Sequence, residues 1–400
     1  RLNIDYSCHT DDEAAEKAFM HFVENIAPKL QPMHFKLQSR YIECEHRPAI
    51  ETTVRMKQLG KGWQADVDLY RDENVPIFTE ITKLNTEYDK LCAAMMVEFD
   101  GKTMTLQQLG RYLEEPDREV REQAWRLTAD TRLAHRERFD SIYDKQIERR
   151  QTVAANADCQ TFIDYAWRSK HRFDYTPDDC RQYGDSVEQL VMPLIEKLTA
   201  ERKAALGLDV LRPWDTAVDP QNRPALRPFD PDNIEQFVTN TRTVFDRIDP
   251  RLGEQFGQLT FGRNLDLDSR KGKRPGGYQA ALEESKEPFI FMNAAGVQRD
   301  VETMLHEGGH AFHFLAAAEA EPLVFVRHAP LEFCEVASMS MELLADEHLG
   351  VYYADEADAA GAVRVHLEGI AKVLTWIATI DQFQHWVYAN PTHSREQRTE

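Results

Sequence analysis

The stretch Glu302-Thr303-Met304-Leu305-His306-Glu307-Gly308-Gly309-His310-Ala311-Phe312-His313 constrains this chain more than any other. It reads as a helix whose two faces have different work to do. Met304, Leu305, Gly308, Ala311, Phe312 and Leu315 make an apolar face suited to a core. At about 100° per residue, His310 lies about 40° round the helix from His306 and one turn further on, so both imidazoles can reach one ion. Glu307 points about 100° from His306, at the edge of that face, where a carboxylate can touch a metal-bound water without ligating the metal. A His-Glu-x-x-His string can arise by chance in a chain with 14 histidines. The glycine pair argues otherwise, since each glycine costs a helix roughly 1 kcal/mol relative to alanine. Gly309, about 60° from His306, leaves room beside the histidines for another segment or a substrate. The expected result is a helix buried on both sides, with zinc chemistry on one of them.

A third ligand is required. A histidine six residues after His310 would fall at Ala316, which excludes the three-histidine arrangement. Glu319 and Glu321 follow too closely and precede Pro322, leaving little chain for a return. The segment 331–344 reads as a second helix, with Glu335, Met339, Glu342 and Asp346 on one face and Phe333, Val336, Ala337 and Leu344 on the other. Glu335 comes 29 residues after His306, enough for the first helix to end, turn and come back alongside. Two readings of that acidic stripe stand at this point: a solvated face, or a ligand face led by Glu335.

The run His306 to His313, followed by Glu335 in Phe333-Cys-Glu-Val-Ala-Ser-Met-Ser-Met-Glu342, resembles the thimet oligopeptidase and oligoendopeptidase F family, nearer the oligoendopeptidase F branch. Glu302, four residues before the first histidine, and Gly309, before the second, match its pattern; the stretches 265–278 and 288–293 are also similar. The resemblance implies one zinc per chain held by His306, His310 and Glu335, with Glu307 as general base. It implies cleavage of internal bonds in short unfolded peptides. The implied fold is mainly α: a two-lobed helical ellipsoid around a deep cleft, with a small β-sheet next to the zinc helix. The family also carries a carboxy-terminal segment whose histidine and tyrosines bind substrate and stabilise the oxyanion; those residues are not in this sequence, which reads as a fragment lacking that segment.

Several further expectations concern the surroundings of the ligands. Glu302 and Glu342 are candidate acceptors for the outward ring nitrogens of the histidines, and His313, on the metal face, would contact substrate or support the ligands. The basic, glycine-rich 270–277 is no phosphate loop, since no Gly-Lys-Ser/Thr follows; it is expected to be a mobile loop over the cleft, with Tyr278 facing substrate. Two rival classes are an exopeptidase with a glutamate ligand and a catalytically silent zinc scaffold. The base-like Glu307 argues against the scaffold, because a structural site normally closes its fourth position with protein.

Composition narrows the rest. A net charge of −20 makes nucleic acid a poor partner, and no apolar run of about 18 residues marks a membrane segment. Six scattered cysteines without Cys-x-x-Cys suit a reducing cytoplasm. Four hundred residues exceed one ordinary core, giving an amino-terminal helical lobe at 1–115 and a catalytic domain at 116–400. Helical periodicity covers 72–100, 117–155, 162–167, 177–206 and 362–388; only 259–268 and 287–293 read as strands. An extended peptide could add to the edge of that sheet. Arg118, Arg121 and Arg126 read as a solvated face, and Trp376, Phe383, Trp386 and Tyr388 as core.

Overall fold

The computed structural model describes residues 1–400 and is mainly helical. Its longest helices are Glu356–Ala389 and Gln298–Ala320. No helix is long and apolar enough to cross a membrane. Thr161 and Thr176 open their helices with capping boxes closed by Asp164 and Asp179, and Gly207, at φ +63°, ends the helix Met192–Ala205.

The expected element bounds shift at two places. The helix expected over 72–100 stops at Ala93, and the chain turns into a hairpin of β1 (Met96–Phe99) and β2 (Lys102–Thr105). Asp100 and Gly101 make its turn, both with positive φ, as a two-residue Asp-Gly hairpin requires. The strand expected over 259–268 forms only as β3 (Leu265–Asp268). Before it, Asp249 caps the helix Pro250–Phe261, whose Leu252, Phe256 and Leu259 pack into the core at helical spacing.

β3 joins β4 (Tyr278–Leu282) and β5 (Glu287–Ala294) in a sheet of order β3-β5-β4, in which β5 runs parallel to β3 and antiparallel to β4. The alternation of β5 makes both its faces useful. Ile290 and Met292 enter the main core with Met304 and Leu305 of the helix Gln298–Ala320. Phe289 and Phe291 face the other way, onto Ile4 and Cys8 of the amino-terminal helix Leu2–Cys8.

That second face corrects the expectation of a mobile 270–277 loop with Tyr278 toward substrate. The Lys273 side chain is fully buried, its ammonium 2.7 Å from the Asp266 carboxylate and 4.5 Å above the Phe291 ring. Arg270 binds Asp266, Asp268 and the Cys8 carbonyl, and the Thr10 amide donates to the Gly272 carbonyl at 2.7 Å. Tyr278 stacks on Phe291 at 4.7 Å, on the sheet face turned away from the helix Gln298–Ala320. Arg270 and Lys273 are answered by the two aspartates just ahead of the loop and Arg274 by Asp89, so the loop is pinned.

The arginine face is likewise more than solvated. Arg121 is buried and donates to the Asp215 carboxylate at 3.0 Å; Arg118 reaches the same carboxylate at 2.8 Å, and Arg126 lies over the Trp214 ring. Burial alone would raise the Asp215 pKa, but hydrogen bonds from Arg118, the Arg212 amide and Arg121 outweigh it and hold the carboxyl at about 2. A depressed folded-state pKa contributes stability above the unfolded value near 3.9 and loses it as pH falls toward the folded one. The stabilisation at neutral pH is on the order of 2 kcal/mol, about half of it gone by pH 3. Urea unfolding of Asp215→Asn should therefore differ from that of the unchanged protein more at pH 6 than at pH 3; an equal difference at both would count against this assignment.

The long helix Glu356–Ala389 does not bury all it was expected to bury. Tyr388 is in the interior, whereas Trp376 and Trp386 are exposed, and so are Phe333, Val336 and Leu344 of the helix Leu331–Ala345.

Candidate metal centre

The helix Gln298–Ala320 starts where the Asp300 carboxylate accepts from the amides of Ala295 and Val297 at 2.8 and 2.9 Å, satisfying donors that the helix itself leaves free. Two turns later its glycine pair meets neighbours on two sides. A Cβ on Gly308 would stand 2.6 Å from the Phe245 ring, and one on Gly309 would stand 2.6 Å from Ser338 Cα and 2.7 Å from the Ala337 carbonyl oxygen. The room left by Gly309 is thus taken by the backbone of the helix Leu331–Ala345, which is drawn close enough to deliver Glu335 to the histidines.

Glu335 Oε2 lies 3.2 Å from His306 Nε2 and 3.5 Å from His310 Nε2. One ligand atom from each of the three residues falls within 4.8 Å of the others, a spacing one ion can bridge. Ser338 Oγ donates to Glu335 Oε2 at 2.9 Å and steadies it. The donor set, two imidazoles and one carboxylate, suits zinc better than calcium or magnesium.

Behind His306 runs a chain of charges. Its Nδ1 donates to Glu342 Oε1 at 2.7 Å; Glu342 Oε2 accepts from His366 Nε2 at 3.1 Å; His366 Nδ1 donates to Asp346 at 2.9 Å. His366 is buried with a carboxylate at each ring nitrogen, first Asp346 and then Glu342, and its pKa rises to about 10, so it is an imidazolium. Burial would raise the Glu342 pKa, but His306 and His366 bring it down to about 2. Burial opposes charge on His306, yet its hydrogen bonds to Glu335 and Glu342 hold its pKa at about 9. The Glu335 and Glu342 carboxylates that favour a proton on His306 would also favour a divalent cation in that proton's place.

Glu307 is buried beside this group, near Gly277 and the Gln279 amide. Burial raises its pKa, against the opposing pull of His306 and His310. A cavity of about 410 Å³ opens next to His306 and Glu307, bordered by Gly277, Asn293 and Thr303. Of the other residues singled out in the sequence, Glu342 takes the outward nitrogen of His306. Glu302 does not serve as such an acceptor: it pairs with Arg299 at 3.1 Å, and its other oxygen is buried without a partner. His313 forms no hydrogen bond or ion pair with the ligands. Tyr278, as described, is on the far face of the sheet. His366 and Asp346 join the site from 60 and 40 residues after His306; Asp346 lies on the acidic face read from the sequence, whereas nothing local marked His366.

The chain as a whole is similar to known proteins. The profile of Peptidase family M3 matches residues 111–400. The Group B oligopeptidase PepB of Streptococcus agalactiae is 22% identical over 282 residues, covering 69% of this chain and 44% of that protein. The oligopeptidase PepF of Bacillus subtilis is 22% identical, over 66% of this chain and 40% of its own length. This chain thus spans less than half the length of those curated relatives. A solved structure of PZ peptidase A with an inhibitor superposes over 99% of this chain and 69% of that one, with TM-score 0.93 at 27% identity.

Proposed function

Because the chain belongs to peptidase family M3, we propose that it is a zinc-dependent endopeptidase that hydrolyses internal bonds of short unfolded peptides, with Glu307 as general base. The observation that carries this reading is the convergence of His306, His310 and Glu335 with Glu307 buried at their side. Zinc bound there would acidify a water and polarise the scissile carbonyl. Glu307 takes the proton of the attacking water on its carboxylate and later hands it to the leaving amine. Burial raises its pKa, which makes its carboxylate the stronger base for taking that proton. Glu342, locked between His306 and His366, holds the His306 ring in one tautomer and orientation.

The sheet suggests how a peptide lies. β4 is an edge strand, paired only to β5, and its Gln279 amide is near the Glu307 carboxylate. A peptide added along that edge would be held by its backbone, with little dependence on side chains. The exopeptidase alternative is separated by internally quenched peptides blocked at both ends, which only an endopeptidase cuts.

Metal analysis tests the ligand set. The purified protein is expected to hold one zinc per chain. Glu342→Ala or His366→Asn should weaken zinc about 10- to 100-fold, the usual effect of losing an outer partner, and His306→Ala, His310→Ala or Glu335→Ala should weaken it further. Full zinc after dialysis of Glu335→Ala against a chelator would remove Glu335 from the ligands.

A further inference from the structure

The helix Leu331–Ala345 brings Glu335 to the histidines, yet its own first turn is poorly held. Pro330 precedes it with no side chain to cap it, and Leu331, Phe333 and Val336 are exposed. Packing begins only at Ser338, the first buried residue of the helix. Glu335 thus sits on a turn that neither a cap nor a core secures. The two histidines differ in this respect, since their helix is capped by Asp300 and buried from its start.

One side chain secures that turn. Glu332, one helical turn before Glu335, meets two donors from a distant part of the chain. Arg172 binds Glu332 Oε1 at 2.6 Å, and the Tyr175 hydroxyl donates to the same oxygen. A surface ion pair usually contributes little, because two long side chains must be immobilised to make it. Here the donors are immobilised already. Arg172 rests on the Trp167 ring at 4.8 Å, Tyr175 meets that ring edge-on at 5.1 Å, and the Trp167 indole donates to the Tyr175 carbonyl at 2.9 Å. The loop carrying both donors is tied in turn to the helix Val54–Leu69: His171 Nε2 lies 2.7 Å from Asp66, and Lys61 stands over the Phe173 ring at 4.4 Å. The same helix also grips the connector between the two metal-binding helices, where Trp63 packs edge-on against Phe325 at 5.2 Å and Arg55 pairs with Glu321. We propose that Arg172 and Tyr175 are positioning residues for the metal ligand: by fixing Glu332 they hold the first turn of the helix Leu331–Ala345 where Glu335 can stay on the ion. Metal affinity then depends on a contact made through the amino-terminal helices. The inference rests on the zinc reading, with Glu335 as a ligand.

Zinc affinity is measured by competition with a chromogenic chelator, and the melting temperature of the metal-free protein is recorded for each variant. Arg172→Gln and Glu332→Ala are each expected to weaken zinc about 10-fold, the lower end of what loss of an outer partner does, and Tyr175→Phe to weaken it less. Arg172→Lys, which keeps the charge, should retain part of the affinity. The double variant Arg172→Gln/Glu332→Ala should be no weaker than the poorer single one, because both act through one contact. In the cobalt-substituted protein the visible absorption of Arg172→Gln should shift, since a displaced Glu335 alters the ligand field, while the metal-free melting temperature stays that of the unchanged protein. Unchanged zinc affinity in Arg172→Gln and Glu332→Ala would overturn the proposal. So would a lowered metal-free melting temperature with an unaltered cobalt spectrum, because the contact would then serve the fold alone. Glu335→Ala separates this inference from the reading beneath it. Zinc lost from Glu335→Ala but kept by the Arg172 and Glu332 variants removes the positioning role alone; zinc kept by Glu335→Ala removes the ligand assignment and the positioning role with it.

Discussion

Glu307→Gln should keep its zinc and lose about 100- to 10,000-fold in peptide turnover, the range over which a positioned base or acid contributes. The substitution is nearly isosteric, and Glu307 is not among the three grouped ligands, so metal content should stay at one per chain. Side-by-side metal analysis and a quenched-peptide assay check both halves. Loss of metal together with activity would mean that Glu307 ligates. An active Gln variant would mean that another group takes the proton.

The second large effect concerns a residue with no side chain. Gly309→Ala ought to improve the helix by about 1 kcal/mol on propensity alone. The structure predicts the opposite sign. The added methyl would meet Ser338 Cα and the Ala337 carbonyl, both backbone atoms that cannot rotate away. Overpacking of this kind typically costs about 1–3 kcal/mol, and its relief requires the helix Leu331–Ala345 to move off, carrying Glu335 from the histidines. A lowered melting temperature accompanied by weakened zinc binding is the expected result. Gly308→Ala is a useful comparison, since it presses on the Phe245 ring and not on the ligand helix; it should lower stability while leaving zinc affinity closer to that of the unchanged protein. If Gly309→Ala were as stable and as metal-loaded as the parent, the close approach of the two helices would not be what places Glu335.

What could be read from the sequence follows the range of the interactions. His306, Glu307 and His310 are legible because one helical turn sets their relation, and the meaning of the glycines is legible because their local cost is unexplained. Glu335 required the resemblance; spacing left it as one of two readings of an acidic stripe. His366 was out of reach, since a histidine in Val365-His366-Leu367 looks like any residue of a long amphipathic helix until Glu342 is found opposite; Asp346 was visible only as one more member of the acidic stripe. Arg121 was misread for the same reason: its partner Asp215 comes 94 residues later. Some misses were avoidable. Asp100-Gly101 between Met96-Val-Glu-Phe99 and Lys102-Thr-Met-Thr105 is a hairpin signal that a helical period had been allowed to overrun. The charges of the 270–277 loop suggested exposure because Asp266 and Asp268, which bury Lys273, were counted as part of a strand.

The first ten residues back the sheet from behind, and this bears on how the protein can be cut. A shortened protein starting at residue 116 would carry every ligand and the base. It would also strip Ile4 and Cys8 from Phe289 and Phe291, remove the Thr10 tie to Gly272, and unseat the arginine–aspartate clasp that leads into β4. The strand beside Glu307 would then have an oily, unsupported back. For anyone dividing this molecule into working pieces, residues 116–400 are therefore expected to need the beginning of the chain to travel with them.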